Sequence, residues 1–273
     1  MMRLVGPKSN DIMYTMQLQR GTLGGEFGTH EVMGFDGKPL VVVKGDPLGY
    51  SGYSLVVDES AAGTLWKTLV SGFGAIPMGT EAWNIARVAS GRPGAAELRN
   101  PREPATAFEA GLYHAVSLNK GCYVGQEALS KIYTQDAVRK ELWGLRCTSP
   151  VGTGEEVFAA TVEGERVKIG TTTSCVDDTS TPVKHLALAY LRRSSRKAAG
   201  VLTWNNASVY VGATAQVPAT VAAIPYVTRR LNKEDQPVAK TTGAETEGDS
   251  TGAKAAANQQ RIAAWMEAQR DGK

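Results

Sequence analysis

The sequence predicts an α+β protein, and three changes of texture along the chain predict it. Through about the first 137 residues, short apolar runs bounded by Gly and Pro alternate with helix-like stretches. From Val138 the helical patterns fade, and short β-like runs recur between Gly, Asn, Asp and Ser. That spacing is the pattern of a small antiparallel barrel or sandwich. From Asn232 large apolar residues nearly vanish, so that stretch cannot bury enough surface to offset its ordering entropy. The division expected is therefore residues 1–137, residues 138–231 and a disordered tail, 232–273.

Taken in order, Leu4 and Val5 read as the end of a strand already under way, so the first domain is expected to be N-terminally incomplete. Ser9 to Leu18 reads as a short helix with Ser9 as N-cap and Ile12, Met13 and Met16 on one face. Leu40 to Val43, between Pro39 and Gly45, reads as a buried strand, and Ser54 to Val57 as a second. The connection between them carries Gly45, Gly49 and Gly52. Ser60 to Leu69 reads as a helix with Leu65, Trp66 and Leu69 as its stripe. Thr80 is placed as the cap of another helix carrying Trp83, Ile85, Ala86 and Val88, stopped by Gly91, Arg92 and Pro93. Asn100 to Pro104 reads as loop. Five β-like runs follow: Glu141–Cys147, Glu156–Thr161, Arg166–Thr172, Leu186–Leu191 and Ala207–Val217. Lys254 to Arg270 has helix-forming composition, with an apolar face of Ile262, Trp265 and Met266 that suits either a frayed end or a docking helix.

Composition sets limits. A net charge of +3 is too small to imply nucleic acid, which requires a concentrated basic stripe. The densest basic cluster, Arg192, Arg193, Arg196 and Lys197, reads as a solvated turn. Cys122, Cys147 and Cys175 are widely spaced, as are His30, His114 and His185, so neither a disulfide framework nor a structural metal is expected. No run of apolar residues reaches membrane-spanning length, and no signal-peptide core follows Met1.

The segment with chemical content is Asn119 to Leu129. Gly121 and Gly125 allow a tight turn and close approach of backbone to a ligand. Gln126 and Glu127 read as the first turn of a helix, where an acidic residue suits the dipole. Cys122 then lies beside that positive end and two residues from Lys120, and both features favour a thiolate. The plainer reading of a single cysteine is a small buried hydrophobe. That reading is the one taken for Cys147 and Cys175, which fall in strand-like runs.

Lys120 to Glu127 reads Lys-Gly-Cys-Tyr-Val-Gly-Gln-Glu, and this string resembles the signature of YgfZ-type folate-binding proteins of iron–sulfur cluster maturation, relatives of the glycine cleavage T-protein. Other stretches carry the same resemblance. Glu109 to Leu112 resembles a Glu-Ala-Gly-Leu element, Ala86 to Gly91 an Arg-x-x-x-Gly element, and Gly49 to Gly52 a Gly-Tyr-Thr-Gly turn. Arg139 to Leu145 resembles the strand that opens the family's C-terminal barrel. The likeness runs over roughly residues 1 to 230, and wording such as Gly74 to Gly79 looks closest to a plant plastid branch.

The resemblance implies an aminomethyltransferase-like folate-binding fold followed by a small antiparallel β-barrel, with tetrahydrofolate as cofactor. It implies Cys122 as the reactive thiol, Arg87 and Lys120 as folate contacts, and Gly121, Tyr123, Gly125, Gln126 and Glu127 as residues shaping the motif loop. The implied function is a folate-dependent accessory role in assembly or repair of iron–sulfur proteins, with assembly proteins or client apoproteins as partners. A chloroplast is the implied compartment, a mitochondrion the second. A folate-dependent aminomethyltransferase or related one-carbon transferase is the enzyme alternative, and a folate-free scaffold is the other. Against the enzyme, the T-protein's Glu-Asp-Gly pattern after the Gly-Tyr-Thr-Gly turn is missing. Asp58 is the nearby acid, one residue out of register, which in a strand reverses its facing side.

Overall fold

Strands β1 (Met2–Val5), β2 (His30–Phe35), β3 (Lys38–Lys44) and β4 (Gly52–Val57) form an antiparallel sheet in the order β1-β4-β3-β2. The computed structural model describes residues 1–18, 28–45, 48–99, 104–179, 182–212, 216–225 and 229. The expected tail over 232–273, with its helix at 254–270, lies outside the described residues, as does 100–103 of the predicted loop.

Period-two alternation puts Leu4, Leu40, Val42, Tyr53 and Leu55 on one buried face of the sheet. Helices α1 (Ser9–Thr15) and α2 (Glu59–Lys67) cover that face with Met13 and Leu65. A Cβ at Gly52 would lie 2.3 Å from the Leu4 carbonyl oxygen, so the β1–β4 approach requires glycine. Two expected caps move. Ser9 and Thr80 are the first helical residues, with Lys8 and Gly79 in the N-cap positions and no side-chain cap at either. At α1 a turn closed by Ser9 N–H on the Gly6 carbonyl (3.1 Å) already fixes the entry. The working cap is Asp58, whose carboxylate accepts from the Ser60 N–H at the start of α2 (2.9 Å). Beyond Lys67 the helix widens into a π turn, Thr68–Gly72, that keeps Leu69 buried.

Six strands make a closed barrel: β5 (Lys140–Cys147), β6 (Glu156–Ala160), β7 (Arg166–Asp177), β8 (His185–Arg192), β9 (Ser208–Val211) and β10 (Val217–Ala222). The neighbour order around it is β10-β5-β8-β7-β6-β9. The run read as one strand from Ala207 to Val217 is two, because the chain turns at Gly212 (φ +89°) and pairs β10 back on β9. Trp143, Leu145, Val157, Ile169, Trp204 and Val221 fill the interior, with Ala187 and Ala189 giving the large rings room. Gly170 is obligatory there, since a Cβ would sit 2.1 Å from the Tyr190 carbonyl oxygen.

Helices α3 (Thr80–Ala89) and α4 (Ala95–Leu98) pack on the barrel, and a buried carboxylate joins them to it. Glu97 is fully buried and accepts from Gly94 N–H (2.7 Å), Thr173 Oγ1 (2.7 Å), Ser174 Oγ (2.6 Å) and Arg87 Nη1 (3.2 Å). Arg87 also donates to Ser174 Oγ (2.9 Å) and the Arg92 carbonyl (3.0 Å). Val88 adds apolar contact with Leu142, Leu188, Tyr190 and Ile224. Gly91 (φ +71°) lies so close beneath Ile224 that a Cβ would fall 1.7 Å from that side chain. No helix among the described residues is long and apolar enough to cross a membrane.

Two predictions follow from burial. Glu97→Ala leaves Arg87 buried without its carboxylate and is expected to cost about 3–5 kcal/mol, read from the urea midpoint. Burial pushes the Cys147 thiol up to about 12, from 9.0, with Cys175 and Glu155 adding to it. Burial, with Glu141 adding, pushes the Tyr113 hydroxyl up to about 12, from 10.0. Both raised values mean stability that is complete below the ordinary values and lost as pH climbs toward 12. The melting temperature is therefore expected to fall between about pH 9 and 12, and Tyr113→Phe to remove part of that fall.

Candidate functional site

The segment Asn119 to Gly125 is a loop that runs into α5 (Gln126–Thr134), so Gln126 and Glu127 do form a first helical turn. Gly125 holds the N-cap position in the left-handed region (φ +84°), with open space around its missing Cβ. Conformation, not crowding, therefore demands glycine there. Gln126 N–H donates to the Tyr123 carbonyl (3.2 Å) and Leu129 N–H to the Gly125 carbonyl (3.1 Å), closing the loop onto the helix. Gly121 has neither a left-handed φ nor a crowding neighbour, so nothing in the protein itself calls for glycine there.

The loop displays its side chains outward. Cys122 is exposed, and Val124 is wholly so. The Lys120 Nζ stands 4.6 Å from the centroid of the Tyr123 ring, a cation–π contact that orders both. The Tyr123 hydroxyl oxygen is buried and has no hydrogen-bond partner among the described residues. Beside it runs an open groove of about 760 Å³, lined by Tyr123, Gly125, Gln126, Glu127, Ser130 and Lys131. Ser130 and Lys131 escaped the sequence reading. The signal available was helical spacing, since they stand four residues beyond Gln126 and Glu127 and share their face.

This groove is lined by the Tyr123 ring, the Lys131 ammonium and the Glu127 carboxylate, with Lys120 held against the same ring. An aromatic ring with two lysines close to it suits a ligand that is flat at one end and anionic at the other.

Arg87 lies elsewhere. It borders a second cleft of about 680 Å³ between α3 and β7, lined also by Thr80, Glu81, Asn84, Thr153 and Cys175. The two clefts share no lining residue, and Lys120 lines neither, so neither cleft brings Arg87 and Lys120 together. The Arg87 fork is engaged by Glu97, Ser174 and the Arg92 carbonyl, and its side chain is 13% exposed.

Cys147 is buried in the barrel. Cys175 packs against the barrel core, donates to the Gly152 carbonyl (3.1 Å) and has its thiol pushed up by burial. Asp58, the acid nearest the glycine turn, has its carboxyl held below the ordinary range by hydrogen bonds from Ser60. Of the basic cluster, Arg192 and Lys197 are exposed as expected, whereas Arg193 and Arg196 are not. Arg193 is half-buried and grips Asp136 through two hydrogen bonds (2.7 and 2.9 Å). Among the described residues no group of His, Cys, Asp or Glu is arranged to hold a metal ion.

No family model matches the chain. It is 34% identical over 227 residues to the chloroplastic "Putative transferase" of Arabidopsis thaliana, covering 83% of this chain and 48% of that protein. It is 30% identical over 102 residues to an aminomethyltransferase of Acidobacterium capsulatum, covering 36% of this chain and 26% of that one. The chain thus spans half or less of the curated relatives it matches. Among solved structures, the glycine cleavage system aminomethyltransferase T of Bartonella henselae superposes with a TM-score of 0.64 at 19% identity, over 85% of this chain and 61% of its own. The chain is homologous to the chloroplastic Arabidopsis protein and carries the aminomethyltransferase fold.

Proposed function

We propose that this chain is a folate-binding accessory factor for the assembly or repair of iron–sulfur proteins, acting in a plastid. The observation that carries the reading is the motif loop: an exposed thiol, Cys122, in the loop that leads into α5, next in sequence to Tyr123, which lines a groove suited to a folate. The chloroplastic name of the Arabidopsis relative supports the compartment. Residues 1–137 supply the folate domain and 138–231 the barrel in this reading.

The ring of Tyr123 lines the groove and offers a face to a pterin. Lys120 and Lys131 neutralise folate carboxylates as compact cations. Arg87 was implied as a further folate contact. With its fork held by Glu97 and Ser174, it serves by fixing α3 to the barrel instead. Tetrahydrofolate, when bound, supplies a carrier of one-carbon units. Cys122 alone cannot hold a cluster, which usually takes four protein ligands, so any cluster contact is shared with an assembly protein or client.

The second reading is a folate-dependent aminomethyltransferase, favoured by the names of the two sequence relatives. Against it, Asp58 already serves as the cap of α2 through two hydrogen bonds from Ser60.

Calorimetry with tetrahydrofolate tests the cofactor. Saturable binding is expected, weakened roughly tenfold in Lys120→Ala by loss of a charged hydrogen bond worth about 1.5 kcal/mol. No binding by a folded chain sinks the assignment. In native protein, a maleimide is expected to modify Cys122 and to spare Cys147, as peptide mass mapping would show. A cluster-reconstitution assay in which Cys122→Ala performs like the parent rules out the thiol's role.

A further inference from the structure

We infer that Arg193 of the barrel is a positioning residue for the motif loop, acting on it through α5 from the opposite end of that helix. This inference rests on the functional reading above for the importance of the loop, and on geometry for the mechanical link.

The motif helix is thinly held by packing. None of its residues is buried, and only Leu129, Ile132 and Tyr133 rest on the small cluster around Phe108, Val116 and Val138. Tyr133 meets the Phe108 ring at 5.7 Å, with Tyr113 on Phe108 at 4.7 Å. A shallow apolar seat of this kind fixes the depth of a helix better than its direction.

Direction comes from the C-terminal end. The helix ends at Gln135, and Asp136 follows in the left-handed region (φ +48°), with Ala137 N–H closing on the Ile132 carbonyl (2.9 Å). That conformation aims the Asp136 carboxylate at the barrel. Arg193 meets it with both Nη atoms, at 2.7 and 2.9 Å, a two-pronged pair that fixes angle as well as distance. Arg193 is itself held. Its N–H donates to the Arg139 carbonyl (2.9 Å), and its Nε lies 3.5 Å from Glu141. Glu141 accepts from Trp143 Nε1 (3.2 Å), and Trp143 is covered by the Arg229 guanidinium (4.4 Å), which donates to the Leu142 carbonyl (2.8 Å). The line Asp136, Arg193, Glu141, Trp143 therefore runs from the end of α5 into β5.

Lys120, Cys122 and Gly125 lie at or beyond the other end of the nine-residue helix, about 13 Å away at 1.5 Å per residue. A lever of that length converts a small tilt at the clamp into a displacement of the loop. The ion pair is also a long-range link, joining residues 57 positions apart in sequence. The barrel thus sets where the thiol and the groove stand.

The test compares Arg193→Gln, Arg193→Lys and Asp136→Asn by two readouts: amide hydrogen exchange along α5 and tetrahydrofolate affinity. Arg193→Gln and Asp136→Asn are expected to speed exchange at Leu129 and Gln135 while the amides of β5 and β8 keep their protection. They are expected to weaken folate binding by about two- to thirty-fold, the usual span for a coupling residue outside a site. Arg193→Lys keeps the charge and loses the fork, so it is expected to recover only part of both. In the double variant the losses should not add. Should Arg193→Gln disturb the barrel, Asp136→Asn carries the test, because Asp136 lies outside every barrel strand. Unchanged exchange along α5, or losses that add, overturns the inference. If the parent chain binds no folate, the functional reading falls, and the exchange pattern alone decides whether Arg193 holds the helix.

Discussion

Glu97 is the constraint on which the arrangement of this protein depends. A carboxylate taken fully out of water is costly unless its lone pairs are met. Here Gly94, Arg87, Thr173 and Ser174 all meet it. Those donors come from α3, the start of α4 and strand β7, so a single buried charge dictates how two helices sit on the barrel. The backbone bulge on β7 between Thr172 and Ser174 brings neighbouring hydroxyls to the same carboxylate, which a regular strand would point to opposite faces. Removing hydrophobic contact around Val88 would loosen this junction, whereas removing Glu97 would leave a guanidinium with no counter-charge.

Local signals in the sequence were enough for most of the elements. Leu40 to Val43 and Ser54 to Val57 announce β3 and β4 through apolar runs between turn residues, and the β-like runs after Val138 announce the barrel. The motif loop, with Gly125 ahead of Gln126 and Glu127, was readable as a turn into a helix. What escaped was long-range. Glu97 and Ser174 are 77 residues apart, and Arg193 and Asp136 are 57 apart. No periodicity within one segment reports a partner at that distance. A basic cluster looked solvated because its acidic partners are not its neighbours in sequence. Ala207 to Val217 looked like one strand because the small turn at Gly212 interrupts an otherwise continuous β-like composition.

The candidate site divides in the same way. Lys120, Cys122 and Tyr123 were identifiable because the whole motif is contiguous. Arg87 was paired with them by family likeness, and it borders another cleft, where its fork already donates to Glu97, Ser174 and the Arg92 carbonyl. A side chain of the right type in the right motif is therefore not yet a ligand contact; its competing partners decide. Asp58 makes the same point on a smaller scale, since two hydrogen bonds from Ser60 commit it to the start of α2.

The contact of Ile224 with Gly91 bears on the order in which this chain can be completed during synthesis. The first sheet takes its strands from residues 2–57 and its cover from α1, α2 and Leu69, so its parts lie close together along the chain. Helix α3 cannot settle so early. Its carboxylate partner needs Thr173 and Ser174 from the middle of the barrel, and Gly91 needs Ile224, which follows the last barrel strand. At translation rates of about 5–20 residues per second, Val88 and its neighbours wait roughly 7–27 seconds with an apolar flank uncovered. The separation of Gly91 and Ile224 along the chain thus sets how long that flank stays uncovered during synthesis.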